Sequence, residues 1–254
     1  QGPDWCESLL PNTMHHTLEA ALVCGISLPP GTDKQLFLDT GLIHIMVVSG
    51  AHLIFLESLL PPRLRLPVLA FYCWRTGFGP PVVKAFVHRV AESQLKPRGW
   101  TPLQAEAAAV LATLTLWPFW ITSRSLQMSW MCFLALSLPP LFRWKAFDQS
   151  IKTYALLFLF AGASVLSIGW NTLIAPLVGT ILFPLSLSLL VIPLLAPLVE
   201  RIWDIFLWVL NWGPKSPPAA WFYSSRDLFW FPLTLHIYLL IREVRCRRAQ
   251  AFFS

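Results

Sequence analysis

The chain has 254 residues, of which 56% are hydrophobic and only 13% charged, with a formal net charge of +6. Soluble domains carry about 25% charged residues, so this composition excludes an ordinary water-soluble globule and points to one helical bundle embedded in a bilayer. The 13 Trp and 22 Pro fit aromatic belts at the membrane interfaces and helices that are kinked or broken. The excess of positive charge alone does not separate nucleic-acid binding from basic cytoplasmic loops.

Residues 1–17 are mixed and polar, and the adjacent His15 and His16 point about 100° apart on a helix, which makes them poor joint ligands. Residues 18–28 read as a short apolar helix stopped by Pro29-Pro30-Gly31. The five cysteines show no C-x-x-C or metal spacing. A Cys6–Cys24 disulfide fits if the N-terminus faces an oxidising compartment, and Cys73 and Cys132 read as small core residues.

Residues 41–60, GLIHIMVVSGAHLIFLESLL, are apolar and long enough to cross a bilayer, since about 20 helical residues do so. They also carry His44, Ser49, Gly50 and His52, and polar groups are costly there unless they face partners or water. At 100° per residue Gly41, His44, Ser49 and His52 share an arc of about 140°. A helix–helix contact face is one reading of that stripe; a polar path is the other, and the stretch as a whole favours it. An interruption, or a close approach by another backbone, is expected at Ser49-Gly50.

Residues 66–74 are too few to span alone, and the run 76–81, TGFGPP, is loop punctuation. Residues 82–96 are amphipathic: Lys84, His88, Glu92 and Lys96 form an i, i+4 ladder with Arg89 beside it. Further apolar segments are 103–121, 126–142, 154–169 and 172–199, the last with four prolines that argue against one straight helix. Residues 201–212 read as a short interfacial helix and 228–241 as a final short apolar segment. Arg242 to Arg248 then hold four Arg against one Glu, which places the C-terminus in the cytoplasm. The expected fold is all-α and polytopic, with six to eight membrane segments, some broken or re-entrant. Its parts are a polar N-terminal segment (1–37), a helical membrane domain (38–242) and a basic tail (243–254).

Four stretches carry a family resemblance. GLIHIMVVSGAHL from Gly41 resembles the ComEC competence-protein signature, a glycine–leucine lead followed by His and then S-G-x-H. TGFGPPVVKAF (76–86) is similar to its T-G-x-x-P-x-x-x-R-A pattern, SLQMSWMCFLAL (125–136) to its F-Q-L-S-F helix, and NTLIAPLVGTILFPL (171–185) to its N-x-x-x-x-P-L helix. All four occur in the family's order. The chain departs from the pattern at Lys84, where the family has Arg and its bidentate phosphate fork, and at Leu126 and Trp130, where the family has Phe.

The resemblance implies a conduit for one strand of transforming DNA across the bacterial cytoplasmic membrane. Lys84, His88, Arg89 and Lys96 would attract the backbone as a basic wall facing water. His44, Ser49, Gly50, His52, Gln127, Ser129 and Asn171 would line a less charged constriction, and Phe78 and Trp130 could stack bases, although lone aromatics are more often core. The partners would be single-stranded DNA, the lipid bilayer, and separate receptor, nuclease and ATP-driven motor proteins. No Walker lysine, H-E-x-x-H or H-x-H-x-D-H run is present, so no cofactor or enzyme activity is implied, and the chain is expected to be a membrane core alone. A Ser49–His52 hydrolytic pair and a metal site of His44, His52 and His88 lack an oxyanion hole, an acidic orienter or a closed ligand set. The rival reading is a small-molecule transporter or a non-catalytic membrane scaffold.

Overall fold

The structure is a computed structural model, and it describes residues 2–46, 50–145, 147–149, 151–153, 165–215 and 225–253. Among these residues every regular element is helical, as the long apolar runs dictate. Helix α1 (Gly2–Ser8) is tied to the end of α2 (His16–Cys24) by the Cys6–Cys24 disulfide, with the two Cα atoms 5.6 Å apart. Helix α2 stops earlier than the Pro29-Pro30 pair suggests. Gly25 takes the left-handed conformation at φ 77° and turns its N–H back to the Ala20 carbonyl, the usual glycine C-cap.

Helices α3 (Thr32–Asp39), α4 (Ile43–Met46) and α5 (Gly50–Ser58) follow. The expected interruption at Ser49 falls on residues 47–49, outside the described residues. Next come α6 (Arg65–Arg75), α7 (Pro80–Leu95), α8 (Pro102–Leu116) and α9 (Arg124–Leu136). Helix α8 begins with a full capping box, Thr101 accepting from the Gln104 N–H and Gln104 accepting from the Thr101 N–H.

Helix α10 (Val165–Leu177) runs through a π-helical turn at Val178–Leu182 into α11 (Phe183–Ser188). Pro176 and Pro184 are absorbed within this helical run, and the π turn between them takes up the lost i→i−4 bonds. The break expected in 172–199 comes at residues 189–195, where Pro193 opens a short 3₁₀ turn. Gly169–Ser188 is the one helix among the described residues long and apolar enough to cross a membrane.

Two C-terminal expectations are corrected. Helix α12 (Ala196–Asn211) is longer than a brief interfacial piece, and α13 (Ser225–Phe253) runs 29 residues through Pro232 and on into the basic tail. The i, i+4 pair Glu243–Arg247 at 2.8 Å supports that continuation.

Two apolar cores result. One gathers Phe37, Leu53, Phe183 and Trp203 from α3, α5, α11 and α12. The other gathers Val110, Trp130, Leu134, Leu228 and Leu239 from α8, α9 and α13. Helix α7 packs against α5, α6, α8 and α9 and so joins the two cores.

Helix α9 ends at Leu136 rather than continuing to 142, because Pro139-Pro140 cannot extend it. The loop beyond is tied internally. Asp148 Oδ1 accepts the N–H groups of Leu141 (2.6 Å) and Phe142 (3.1 Å), and Lys152 Nζ reaches Asp148 (2.6 Å), Leu138 O (3.0 Å) and Pro139 O (2.8 Å). The Lys152 hydrogen bond, opposed by burial and aided by the two N–H groups, holds the Asp148 carboxyl below its usual range. A depressed folded-state value contributes order that is present above the unfolded carboxyl pKa of about 3.9 and lost as pH falls through the lowered folded value. At alkaline pH, Asp148→Asn is expected to speed trypsin cleavage after Arg143 and Lys145 several-fold; an unchanged rate would show that the carboxylate does not hold the loop.

Candidate functional site

The loop before α7 aims that helix. Gly77 and Phe78 both adopt positive φ, 78° and 53°, and the Phe78 N–H returns to Cys73 O at 3.0 Å. A left-handed phenylalanine costs roughly 1–2 kcal/mol, so the turn is held by its surroundings. Pro80 and Pro81 then fill the first turn of α7, where a missing N–H has no intrahelical partner to lose. Val82 and Phe86 face the first core, while Lys84 and His88 turn toward α8 and α9.

There the chain buries charge. Lys84 Nζ lies 2.6 Å from Glu106 Oε1 of α8 and donates to the Ser129 carbonyl of α9 at 3.2 Å. The two charged side chains are only 4% and 1% exposed. His88 Nδ1 is 2.8 Å from Glu106 Oε2. The two atoms lie out of line for a straight N–H···O bond, so this is a close polar contact rather than a well-formed hydrogen bond. The other ring nitrogen of His88 is 3.8 Å from Glu92, and the ring packs on Phe133 at 4.9 Å between centroids.

Arg89 bridges Glu92 at 2.7 Å and Glu57 of α5 at 2.8 Å, and Glu57 approaches Arg65 at 3.9 Å. Alternating charges therefore run from buried Glu106 outward to the rim of α5. Beside them Trp130 Nε1 donates to His236 Nδ1 at 3.0 Å, and His236 Nε2 meets Leu103 O at 3.0 Å, which assigns the proton of a neutral ring to Nε2. Ions taken out of water persist only when paired, and each charged group of this cluster has its counter-charge.

Helix α5 reaches the same junction through Gly50. A Cβ built there would stand 3.0 Å from Ala85 Cβ and 3.9 Å from Ser129 Oγ, so α5 and α7 touch at a contact that favours glycine. The junction thus joins Gly50, Lys84, His88 and Ser129, with Arg89 extending it.

Other sequence-derived candidates lie elsewhere or are engaged. Ser49 and the His44 side chain lie outside the described residues. His52 is buried with its ring edge-on to Phe183 at 4.6 Å. Gln127 is buried and donates to Ile121 O at 2.7 Å. Asn171 is buried with neither amide atom hydrogen-bonded. Lys96 is exposed at the end of α7, about 18 Å along the helix from Lys84.

Two expectations are corrected. Lys84 does not face water, because Glu106 compensates its charge inside the protein. The α7 ladder is not a row of free cations, because Glu57, Glu92 and Glu106 face Lys84, His88 and Arg89. Trp130 is 3% exposed with its indole N–H committed to His236, the core placement favoured for a lone aromatic, whereas Phe78 is exposed.

The sequence reading missed Glu106 and Glu57. The signal for Glu106 was present: it is the one acidic residue within the apolar run of α8, QAEAAAVLATL, and a lone intramembrane carboxylate calls for a named counter-charge.

Comparison with known proteins places this junction in a family. The sequence pattern of the family described as Competence protein matches residues 30–241, which covers α5 and α7 to α9. An uncharacterized protein of Escherichia coli K12, YcaI, is 29% identical over 265 residues, covering 86% of this chain and 35% of its own length. An uncharacterized protein of Aquifex aeolicus VF5 is 32% identical over 182 residues, covering 67% of this chain and 41% of its own length. The chain therefore spans well under half the length of these curated relatives. No solved structure matches it. With most of its length inside the family's match, the chain belongs to the Competence protein family.

Proposed function

We propose that this chain forms the membrane part of a conduit that passes single-stranded transforming DNA across the bacterial cytoplasmic membrane. Family membership supports a role in competence and DNA uptake. The observation that carries the reading further is the buried Lys84–Glu106–His88 cluster at the meeting of α5, α7, α8 and α9. Ionisable groups set inside an apolar bundle mark transport paths more often than packing, and a polyanion needs such a polar place to shed water.

The arrangement is multi-pass, with six to eight membrane segments. The Cys6–Cys24 disulfide suits an oxidising exterior, and the four arginines of 242–248 suit the cytoplasm, which makes the number of crossings odd. The conduit is not an enzyme; a receptor, a nuclease and an ATP-driven motor act as separate proteins.

One observation favours the scaffold alternative: the cluster is closed, with Lys84 already neutralised. Deletion of the gene separates the readings. Cells lacking it should still bind labelled DNA outside while internalising roughly 100-fold less, with receptor and motor at normal levels in the membrane; uptake at the parental rate would overturn the conduit. Loss of those partner proteins from the membrane would point to a scaffold.

A further inference from the structure

We propose that Glu106 is a proton-dependent latch on Lys84: ionised, it holds the lysine inside the protein, and protonated, it releases the ammonium to a phosphate of the passing strand. This rests on the conduit reading and gives it a coupling step.

The contacts require a competition. Lys84 Nζ is buried, with Glu106 Oε1 and the Ser129 carbonyl as acceptors. A phosphate reaching that ammonium would stand beside the Glu106 carboxylate, and two anions sharing one buried cation repel strongly. Neutralising Glu106 removes the repulsion. The step balances simply: a proton adds to a Glu106 oxygen as an O–H bond, the Lys84–Glu106 ion pair opens, and the ammonium keeps its proton and turns to the phosphate.

The route for that proton is also present. His88 touches Glu106 on one side and lies 3.8 Å from Glu92 on the other, and Glu92 is part of the partly exposed Arg89–Glu57 rim. From inside to rim the order is carboxylate, imidazole, carboxylate, groups that pass protons between them.

Every packed element contributes to what the latch feels. Helix α7 supplies Lys84 and His88, α9 brings Cys132 into the field of Lys84, and α13 brings His236 into the field of Glu106 and Lys84. Helix α5 supplies Glu57, with Arg65 at the start of α6 behind it. His236 is held by Trp130 and Leu103, which leaves His88 as the imidazole in contact with the carboxylate. By linkage, a phosphate that binds better when Glu106 is protonated draws a proton in, and a proton favours the phosphate equally.

The purified protein in lipid nanodiscs, a short oligothymidylate and a water-soluble amine-reactive label test this. In the wild type, oligothymidylate binding should take up about one proton near neutral pH, read in buffers of different ionisation enthalpy. Glu106→Gln should bind roughly tenfold tighter at alkaline pH and take up none. Without DNA, Lys84 should be protected from the label in the wild type and modified in Glu106→Gln. Binding without proton uptake by the wild type overturns the latch and leaves the conduit standing, a result that does not depend on the variant folding. No oligothymidylate binding by either protein, with Lys84 still released in Glu106→Gln, overturns the conduit reading and supports the release of Lys84. No binding and no difference in labelling overturns both.

Discussion

Replacing Glu106 by Leu is expected to lower the stability of the protein by about 3–5 kcal/mol, the range found when one partner of a buried ion pair is removed. The loss comes less from the missing attraction than from what remains: Lys84 Nζ would be left with only the Ser129 carbonyl as acceptor, and a buried amine without its counter-charge is costly whether it stays charged or loses its proton. The double variant Lys84→Met with Glu106→Leu removes both charges and should recover most of the loss, because well-packed apolar residues replace buried ion pairs at little cost. A thermal-unfolding double-mutant cycle in detergent reads the coupling directly. If Glu106→Leu alone costs under about 1 kcal/mol, the range of solvated surface pairs, then the 2.6 Å contact is not a buried pair.

Gly50→Leu is expected to abolish DNA internalisation while leaving the protein in the membrane at its normal level. Ala85 Cβ sits 3.0 Å from where a Cβ at Gly50 would stand, with Ser129 Oγ at 3.9 Å. A leucine there must push α5 away from α7 and α9, at an overpacking cost of about 1–3 kcal/mol. That is small enough for the protein to persist and large enough to move Glu57 off Arg89, whose 2.8 Å contact ties α5 to the cluster. Gly50→Ala serves as the graded control. Its single methyl needs only a few tenths of an ångström from Ala85, so uptake should fall modestly. Full uptake by Gly50→Leu at normal protein level would remove the α5–α7 contact from the mechanism.

What the sequence made legible follows from the range of its signals. Helical class came from the apolar runs, and α7 from the amphipathic pattern of 82–96, although Pro80 and Pro81, read as loop, form its first turn. The amphipathic face of α7 was read correctly as one stripe holding Lys84, His88 and Arg89. Periodicity says which residues share a face; it is silent about what another helix brings to that face. Glu106 meets Lys84 across 22 residues of sequence and Glu57 meets Arg89 across a whole intervening helix, so a stripe read as a basic wall became a compensated cluster. Helix ends failed for a local reason at Gly25, where a left-handed cap acted before the prolines. They failed for a tertiary one in α13, where packing on α8 and α9 carries a helix through Pro232.

Photo-crosslinking during uptake asks most directly whether a strand passes the α5–α7–α8–α9 junction. Phe133 lies against His88, 4.9 Å between ring centroids, and a photoreactive phenylalanine analogue can replace it with little change in shape. Phe119 is 67% exposed on the outer surface and serves as the control position. With labelled DNA caught in transfer, position 133 should crosslink to the strand and position 119 should remain at background. Normal internalisation with no crosslink from 133, or equal crosslinking from 119, would contradict a path through this junction.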